Sequence, residues 1–504
     1  MSRSLLVVRR SSSLTTALVS LLVIGAVVGP LLFIGVAYRE TTLGLYTLGG
    51  ILALLLAAAI FVRPELGTYV LIVTVFTNIS TALTNQGYPS INKPLVGLIF
   101  VSVLATRLWR RPGALRLKRL EWFMLAYLGV QLFSTFVARE RAAAAEQAVD
   151  FAKDFVILLC IVYSLDSEGG WKRAVWLTIA TTVFLSLLTI YQVVTGDYQQ
   201  TFLGLATNSL EEVAAEVAQV RHSGPVGDPN FYGQILVAVI PLALYRAMEE
   251  KKVILRLLAA VSVIIILFAL LNTYSRGAFL ALAGVLVFMA IERRIRFSLF
   301  LTLAGLGLVV LQLLPAGYTE RLSSLVELSS EQQSFVYEEE SFRGRLSEIL
   351  SGLQMFASHP LLGVGVGNYE YNYQDYASRL GLEGRTTTRQ AHSLYVETAA
   401  ETGLFGLLAL GGIFAAFFLG LRQAASGRWQ IQNPKSKIQN PPDWHVWLVS
   451  LQASILAYLM SSLFLHGDYI RYLWLLVALG ASAVHLTERF WQRALAQQTR
   501  RWPW

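Results

Sequence analysis

Residues 255–291 read LRLLAAVSVIIILFALLNTYSRGAFLALAGVLVFMAI, two apolar runs parted only by Asn272-Thr273-Tyr274-Ser275-Arg276-Gly277. At about 1.5 Å of rise per residue, each run as a helix comes close to the roughly 30 Å thickness of a bilayer's hydrocarbon core. A connection this short can only reverse the chain, so the pair reads as a transmembrane helical hairpin with its turn at a membrane surface. Lys251 and Lys252 precede it, Arg256 stands at its start, and Arg293, Arg294 and Arg296 follow it. The positive-inside tendency therefore puts the open end of the hairpin in the cytoplasm and the turn outside.

The pattern recurs along all 504 residues, which are 55% hydrophobic and only 14% charged, against about 25% charged in an ordinary soluble domain. Fourteen spans are predicted, at about 14–37, 42–62, 66–83, 92–106, 121–137, 148–165, 172–194, 230–246, 255–272, 276–291, 297–315, 392–421, 445–465 and 469–487. The first follows Arg9 and Arg10 but is too long for a signal-peptide core and has no small-residue cleavage site. The fold class expected is an all-α integral membrane protein of about 14 transmembrane helices (range 12–14), both termini cytoplasmic. A large outward loop with short helices is expected between spans 11 and 12.

The 41 Lys and Arg exceed the 32 Asp and Glu, but most fall in the segments that alternation places inside. The excess is a topology signal and implies no nucleic-acid partner. Cys160 is the lone cysteine, so no intrachain disulfide and no cysteine-based zinc framework can form.

Four regions follow: an N-terminal bundle at 1–195, a core with outward loops at 196–421, a cytoplasmic linker at 422–444, and a C-terminal pair of spans with a basic tail at 445–504. The linker repeats Ile431-Gln432-Asn433-Pro434 as Ile438-Gln439-Asn440-Pro441, a polar, proline-broken loop. The outward segments 196–229 and 316–391 exceed ordinary connection lengths and so ask for a role.

Three outward pieces carry candidate chemistry. Arg221-His222-Ser223-Gly224-Pro225-Val226-Gly227-Asp228-Pro229-Asn230 leads into the eighth span, with Asp228 as N-cap and Pro229 at the first helical position. In the 272–277 turn, Ser275 caps span ten and sets Arg276 beside free helix amides, where a cation is unfavourable unless an anion joins it; snorkelling to headgroups is the plainer reading. Arg389 to Gly403 contains His392, whose neutral imidazole can accept a proton or serve only as a structural hydrogen bonder, and Glu397. Spans eight, ten and twelve all start on the same side. Helix N termini together with arginines favour phosphate oxygens, so a phosphate or diphosphate at the outer leaflet is the ligand suggested.

Four pieces resemble the O-antigen ligase and polymerase family of bacterial membrane glycosyltransferases: Gly227-Asp228-Pro229-Asn230, Tyr274-Ser275-Arg276-Gly277, the stretch from Gly344-Arg345-Leu346 to Asn368, and His392 to Gly406. Such enzymes move a glycan from a polyprenyl (undecaprenyl) diphosphate carrier to an acceptor sugar on the outer face of the bacterial cytoplasmic membrane, as in building lipopolysaccharide. The resemblance implies His392 as catalytic base and Arg221, Arg276 and Arg345 as diphosphate ligands, with Asp228, Asn230, Ser275 and Glu397 in support. It implies as partners the lipid-linked glycan donor, a saccharide acceptor that is lipid-linked or like a lipid A core, membrane lipids and polysaccharide assembly proteins. Where the family usually has asparagine after the histidine, this chain has Ser393.

Fixed arginines can stabilise a departing diphosphate, and no Asp-x-Asp pair offers itself to a divalent cation, so transfer without metal or cofactor is expected, inverting the anomeric centre. Arg345, like Arg343, is otherwise a solvated helix charge. The Gly363, Gly365, Gly367 string reads as a turn or close packing, and Asp150, Lys153 and Asp154 as an ion-pair staple at helical spacing. The rival function is transport of a small anion such as bicarbonate; a noncatalytic scaffold is a third. Transporters usually carry midplane charges and broken helices, and neither is evident in the sequence.

Overall fold

The computed structural model describes residues 42–110, 116–213, 217–294, 340–380, 389–426, 444–467 and 470–501. The spans expected at 14–37 and 297–315 and the repeat at 431–441 lie outside the described residues. Described residues form fifteen helices and one two-stranded ribbon. In chain order these are α1 (Thr42–Val62), α2 (Pro64–Phe76), α3 (Ile79–Asn85), α4 (Asn92–Arg110), α5 (Arg119–Ser134), α6 (Arg141–Ser164), α7 (Glu168–Thr195), β1 (Thr207–Val213) and β2 (Val217–Gly224). There follow α8 (Pro229–Glu249), α9 (Val253–Leu271), α10 (Arg276–Glu292), α11 (Glu340–Ser358), α12 (Tyr369–Arg379), α13 (Leu394–Ser426), α14 (Trp444–Ser461) and α15 (Arg471–Arg501).

Among the described residues, five helices are long and apolar enough to cross a membrane: α7, α8, α9, α13 and the Arg471–Gln492 part of α15. The others are shorter or more polar, so the expected count of about fourteen is not confirmed. α9 turns large apolar side chains outward, Ile254 at 64% and Ile264 at 67% exposure, as a lipid-facing helix must. α8 is enclosed, packed by α9, α10 and α14. Its neighbours approach closely at Gly233, where an added Cβ would stand 3.0 Å from Ala278 Cβ.

Two expectations need correction. The span predicted over 66–83 is broken: α2 and α3 meet at 60° around Asn78, which sits at φ 49°. Asparagine is among the few side-chain-bearing residues that tolerate the left-handed region, and its Nδ2 donates to the carbonyl of Pro225 at 3.0 Å. The fold is also not purely helical, because the 196–229 segment contains the antiparallel β1–β2 ribbon.

α13 bends as well. Gly403 leaves the helical region at φ 63° and ψ −157°, which would strand backbone groups within an apolar environment. The Gly363-Gly367 turn takes them up: Val364 and Gly365 amides donate to Ala400 and Glu401 carbonyls at 2.8 and 3.0 Å, and the Leu404 amide donates to Pro360 at 2.8 Å. Irregular backbone inside an apolar helix persists where protein satisfies it in this way. The glycine string is thus close packing, as the sequence reading preferred. The segment 316–391, expected as a large loop with short helices between spans 11 and 12, does contain helices in its described part, α11 and α12.

Candidate functional site

The site is built from three helix N termini and one turn. Asp228 caps α8, its Oδ1 accepting from the amides of Asn230 at 2.7 Å and Phe231 at 3.1 Å. With those amides capped by Asp228, Asn230 turns its side-chain oxygen to Arg221, whose Nη2 donates to it at 3.0 Å. Arg221 is buried on β2, and its Nε donates to the carbonyl of Thr273 at 3.0 Å. The next residue continues the join, the His222 amide donating to Asn272 O at 3.0 Å. The first two outward segments are therefore one structure. His222 itself is buried against Gln192, Nδ1 to Oε1 at 3.1 Å, and burial pushes its imidazole down to about 4, so it is neutral at physiological pH.

Ser275 caps α10, its Oγ accepting from the Ala278 amide at 3.4 Å, which leaves Arg276 as the first helical residue, half-buried. Gly277 beside it abuts Phe464. That contact leads to the turn between α14 and α15, which receives the third segment: the Leu394 amide donates to Ser462 O and Leu465 O at 3.1 and 2.7 Å, and the Gly467 amide donates to Glu397 Oε2 at 2.8 Å.

His392 precedes α13 with φ 45°, a conformation that costs a non-glycine residue energy and aims its side chain where a regular helix start would not. Its ring meets the His466 ring edge-on at 5.3 Å between centroids, and His466 meets Phe231 at 5.1 Å. Ring contacts from His392 through His466 to Phe231, and hydrogen bonds from its chain neighbour Asn230 through Arg221 to Thr273, thus join these residues. On its other side, His392 Nε2 lies 3.7 Å from Glu348 Oε2, and Arg389 Nη1 lies 3.7 Å from Glu348 Oε1. The Glu348 carboxylate is only 2% exposed and comes from α11; at that distance it makes no hydrogen bond to the imidazole but can stabilise positive charge on it.

The structure brings Arg221, Asp228, Asn230, Ser275, His392 and Glu397 to one end of the bundle, with Arg276 at the same turn. Arg345 is not brought against them: it is exposed on α11, with no contact to these residues among those described. The position next to the imidazole is taken by Glu348, three residues on, with Arg389. Glu348 and His466 were missed by sequence reasoning: Glu348 sits in the middle of α11 with no local signal, and the only hint for His466 was its place in the turn between α14 and α15. The expected staple is half right: Lys153 pairs with Asp150 at 2.5 Å, whereas Asp154 reaches across to Arg471 at 2.8 Å.

Apolar helices exposed to the outside and a polar, charge-bearing end define a helical membrane protein with a candidate anion and proton-transfer site. Residues 261–411 match the O-antigen ligase family model, so the resemblance drawn from the motifs is borne out over that stretch. It takes in Ser275, Arg276, Arg345, Glu348, His392 and Glu397, and starts beyond Arg221, Asp228 and Asn230. No curated protein matches the chain.

Proposed function

We propose that the protein is a metal-independent, inverting glycosyltransferase of about fourteen spans, which joins or polymerises glycan carried on polyprenyl diphosphate at the outer face of the bacterial cytoplasmic membrane. Both termini lie in the cytoplasm in this reading, and residues 196–421 form the catalytic core. The acceptor hydroxyl oxygen attacks the anomeric carbon, its proton passes to His392, and the bond to the diphosphate breaks with its electron pair leaving on the phosphate oxygen. Arg276, at a helix N terminus, and Arg221 behind it favour that departing charge. General-base help of this kind contributes typically 10² to 10⁴ in rate. Glu348, 3.7 Å from the imidazole, favours the positive charge that His392 gains with the proton.

The observation that carries the reading is the run of contacts from Arg221 to His392, together with the family match over 261–411. In reconstituted protein given a lipid diphosphate glycan, His392→Ala is expected to fold normally and transfer nothing. Turnover retained in that variant removes His392 from the mechanism. The 60° break between α2 and α3 favours a second reading, transport of a small anion such as bicarbonate. Tracer uptake into proteoliposomes, measured on the same preparation as glycan transfer, separates the two.

A further inference from the structure

A cavity of about 540 Å³ lies at the same end of the bundle, beside the candidate site. Gln390 and Leu394, on either side of His392 in the chain, both line it, as does Gly467 next to His466. Its volume falls within the roughly 300–1,000 Å³ usual for small-molecule sites. None of its residues was singled out for ligand binding by sequence reading except Glu397.

The lining is too polar for a lipid chain. Six carboxyl groups contribute to it, two of them already balanced: Asp150 by Lys153, and Asp154 by Arg471, the one lysine or arginine of the lining among the described residues. Glu401 is engaged with backbone amides of Gly367 and Tyr369 at 2.9 and 3.0 Å, and Glu146 is exposed at the rim. Among the described residues no three acidic, histidine or cysteine side chains converge as metal ligands. The lining instead presents hydrogen-bond acceptors. Gln131, only 4% exposed, lines the cavity, and its Oε1 has no hydrogen-bond partner among the described residues. A buried acceptor left unmade costs free energy that a donating ligand recovers. Tyr371, also in the lining and 39% exposed, offers an aromatic face.

Donor groups, a ring face and no negative charge describe one ligand class. We infer that this cavity binds the acceptor glycan as a non-anionic saccharide, its hydroxyls or amines donating to Gln131 and the carboxylates, and that repulsion from those carboxylates rejects acidic sugars. The inference rests on the glycosyl-transfer reading and names its acceptor class.

Binding measured without transfer keeps the two separable. Full-length protein in nanodiscs is titrated calorimetrically with cellotriose, a glucosamine trimer and trigalacturonate, in wild type and in His392→Ala. The neutral and amino trimers should saturate in both proteins, and trigalacturonate should bind at least about tenfold more weakly, the discrimination expected of like charges at close range. Whichever of the two binders is tighter supports the class and says whether hydroxyl or amine is favoured. Gln131→Leu should weaken both by roughly three- to tenfold, the worth of a net hydrogen bond. Glu146→Lys, at an exposed position that folding tolerates, should narrow the gap to trigalacturonate even if Gln131→Leu does not fold. Equal binding of all three trimers, binding of none, or affinities unmoved by the variants that fold would overturn the inference. Transfer lost in His392→Ala with binding intact bears only on catalysis.

Discussion

An arginine in the first turn of a helix is set against the positive end of the helix dipole, and Arg276 holds that place in α10. A forked guanidinium can grip two phosphate oxygens where an ammonium offers a point charge. Arg276→Lys is therefore expected to lose most transfer activity, about 10²-fold or more in kcat/KM, the scale on which transition-state electrostatics acts, with normal expression; wild-type kinetics in the variant would remove diphosphate binding from this residue. Glu348→Gln keeps the shape beside His392 and removes the charge. Its kcat should fall about tenfold or more with KM nearly unchanged, as for loss of a charge that stabilises the protonated base and touches no substrate; steady-state kinetics on the reconstituted protein decides it. His222 makes a different prediction, about stability. Its folded value of about 4 lies below the ordinary 6.5, so between those limits the unfolded chain takes up a proton that the folded chain refuses. Stability should thus be level above pH 6.5, fall as the pH drops toward 4 by on the order of 1 kcal/mol per unit, and level off below. Thermal melts in detergent across that range should show the loss, and His222→Gln should flatten it.

At the scale of elements, the site depends on the bend of α13 being stitched to the turn before α12. Both partners need glycine, since Gly363 has φ 66° and an added Cβ would lie 2.3 Å from the Glu401 backbone, while Gly403 has φ 63° with Leu361 backbone 2.4 Å from its would-be Cβ. Gly403→Ala should therefore cost at least about 2 kcal/mol, seen as a lower melting temperature. Activity should fall with it, because Glu397 and His392 are placed by the turn that α13 begins; an unchanged melt would deny the bend its role. Such a bend shows where the sequence is legible and where it is not. Each apolar helix writes its own hydropathy, so the helical membrane character could be read run by run, and helix caps such as Asp228 and Ser275 announce themselves within a few residues. The grouping of Arg221, Arg276 and His392 at one end followed from counting spans. The break at Asn78 and the Glu348–His392 approach depend on neighbours more than forty residues away in the chain, whereas the β1–β2 ribbon pairs residues close in sequence and went unread inside a segment taken only as a long outward connection. The cavity wall is drawn from helices as far apart as α2 and α15, and no local pattern encodes it.

Over the whole molecule the polar groups divide between two ends. One gathers the helix N termini around His392. The other holds buried or half-buried pairs that only brace the bundle, Glu121 with His485 at 2.8 Å and Lys118 with Glu488 at 2.6 Å, and Arg246 stacked 3.6 Å above the Trp447 ring. Transfer from a carrier on the outer leaflet requires the first end to face outward, and the basic residues near the second are those that the positive-inside tendency would hold in the cytoplasm. Two exposed positions test this directly, because the only native thiol, Cys160, is buried and should stay silent to a membrane-impermeant maleimide. Leu210→Cys, on β1 at 74% exposure, should be labelled in sealed right-side-out vesicles, whereas Lys251→Cys, exposed between α8 and α9, should be labelled only after detergent. The reverse pattern would turn the arginines and His392 toward the cytoplasm, out of reach of an outer-leaflet donor. Labelling of both without detergent would mean that α8, the buried centre of the bundle, does not cross the membrane at all.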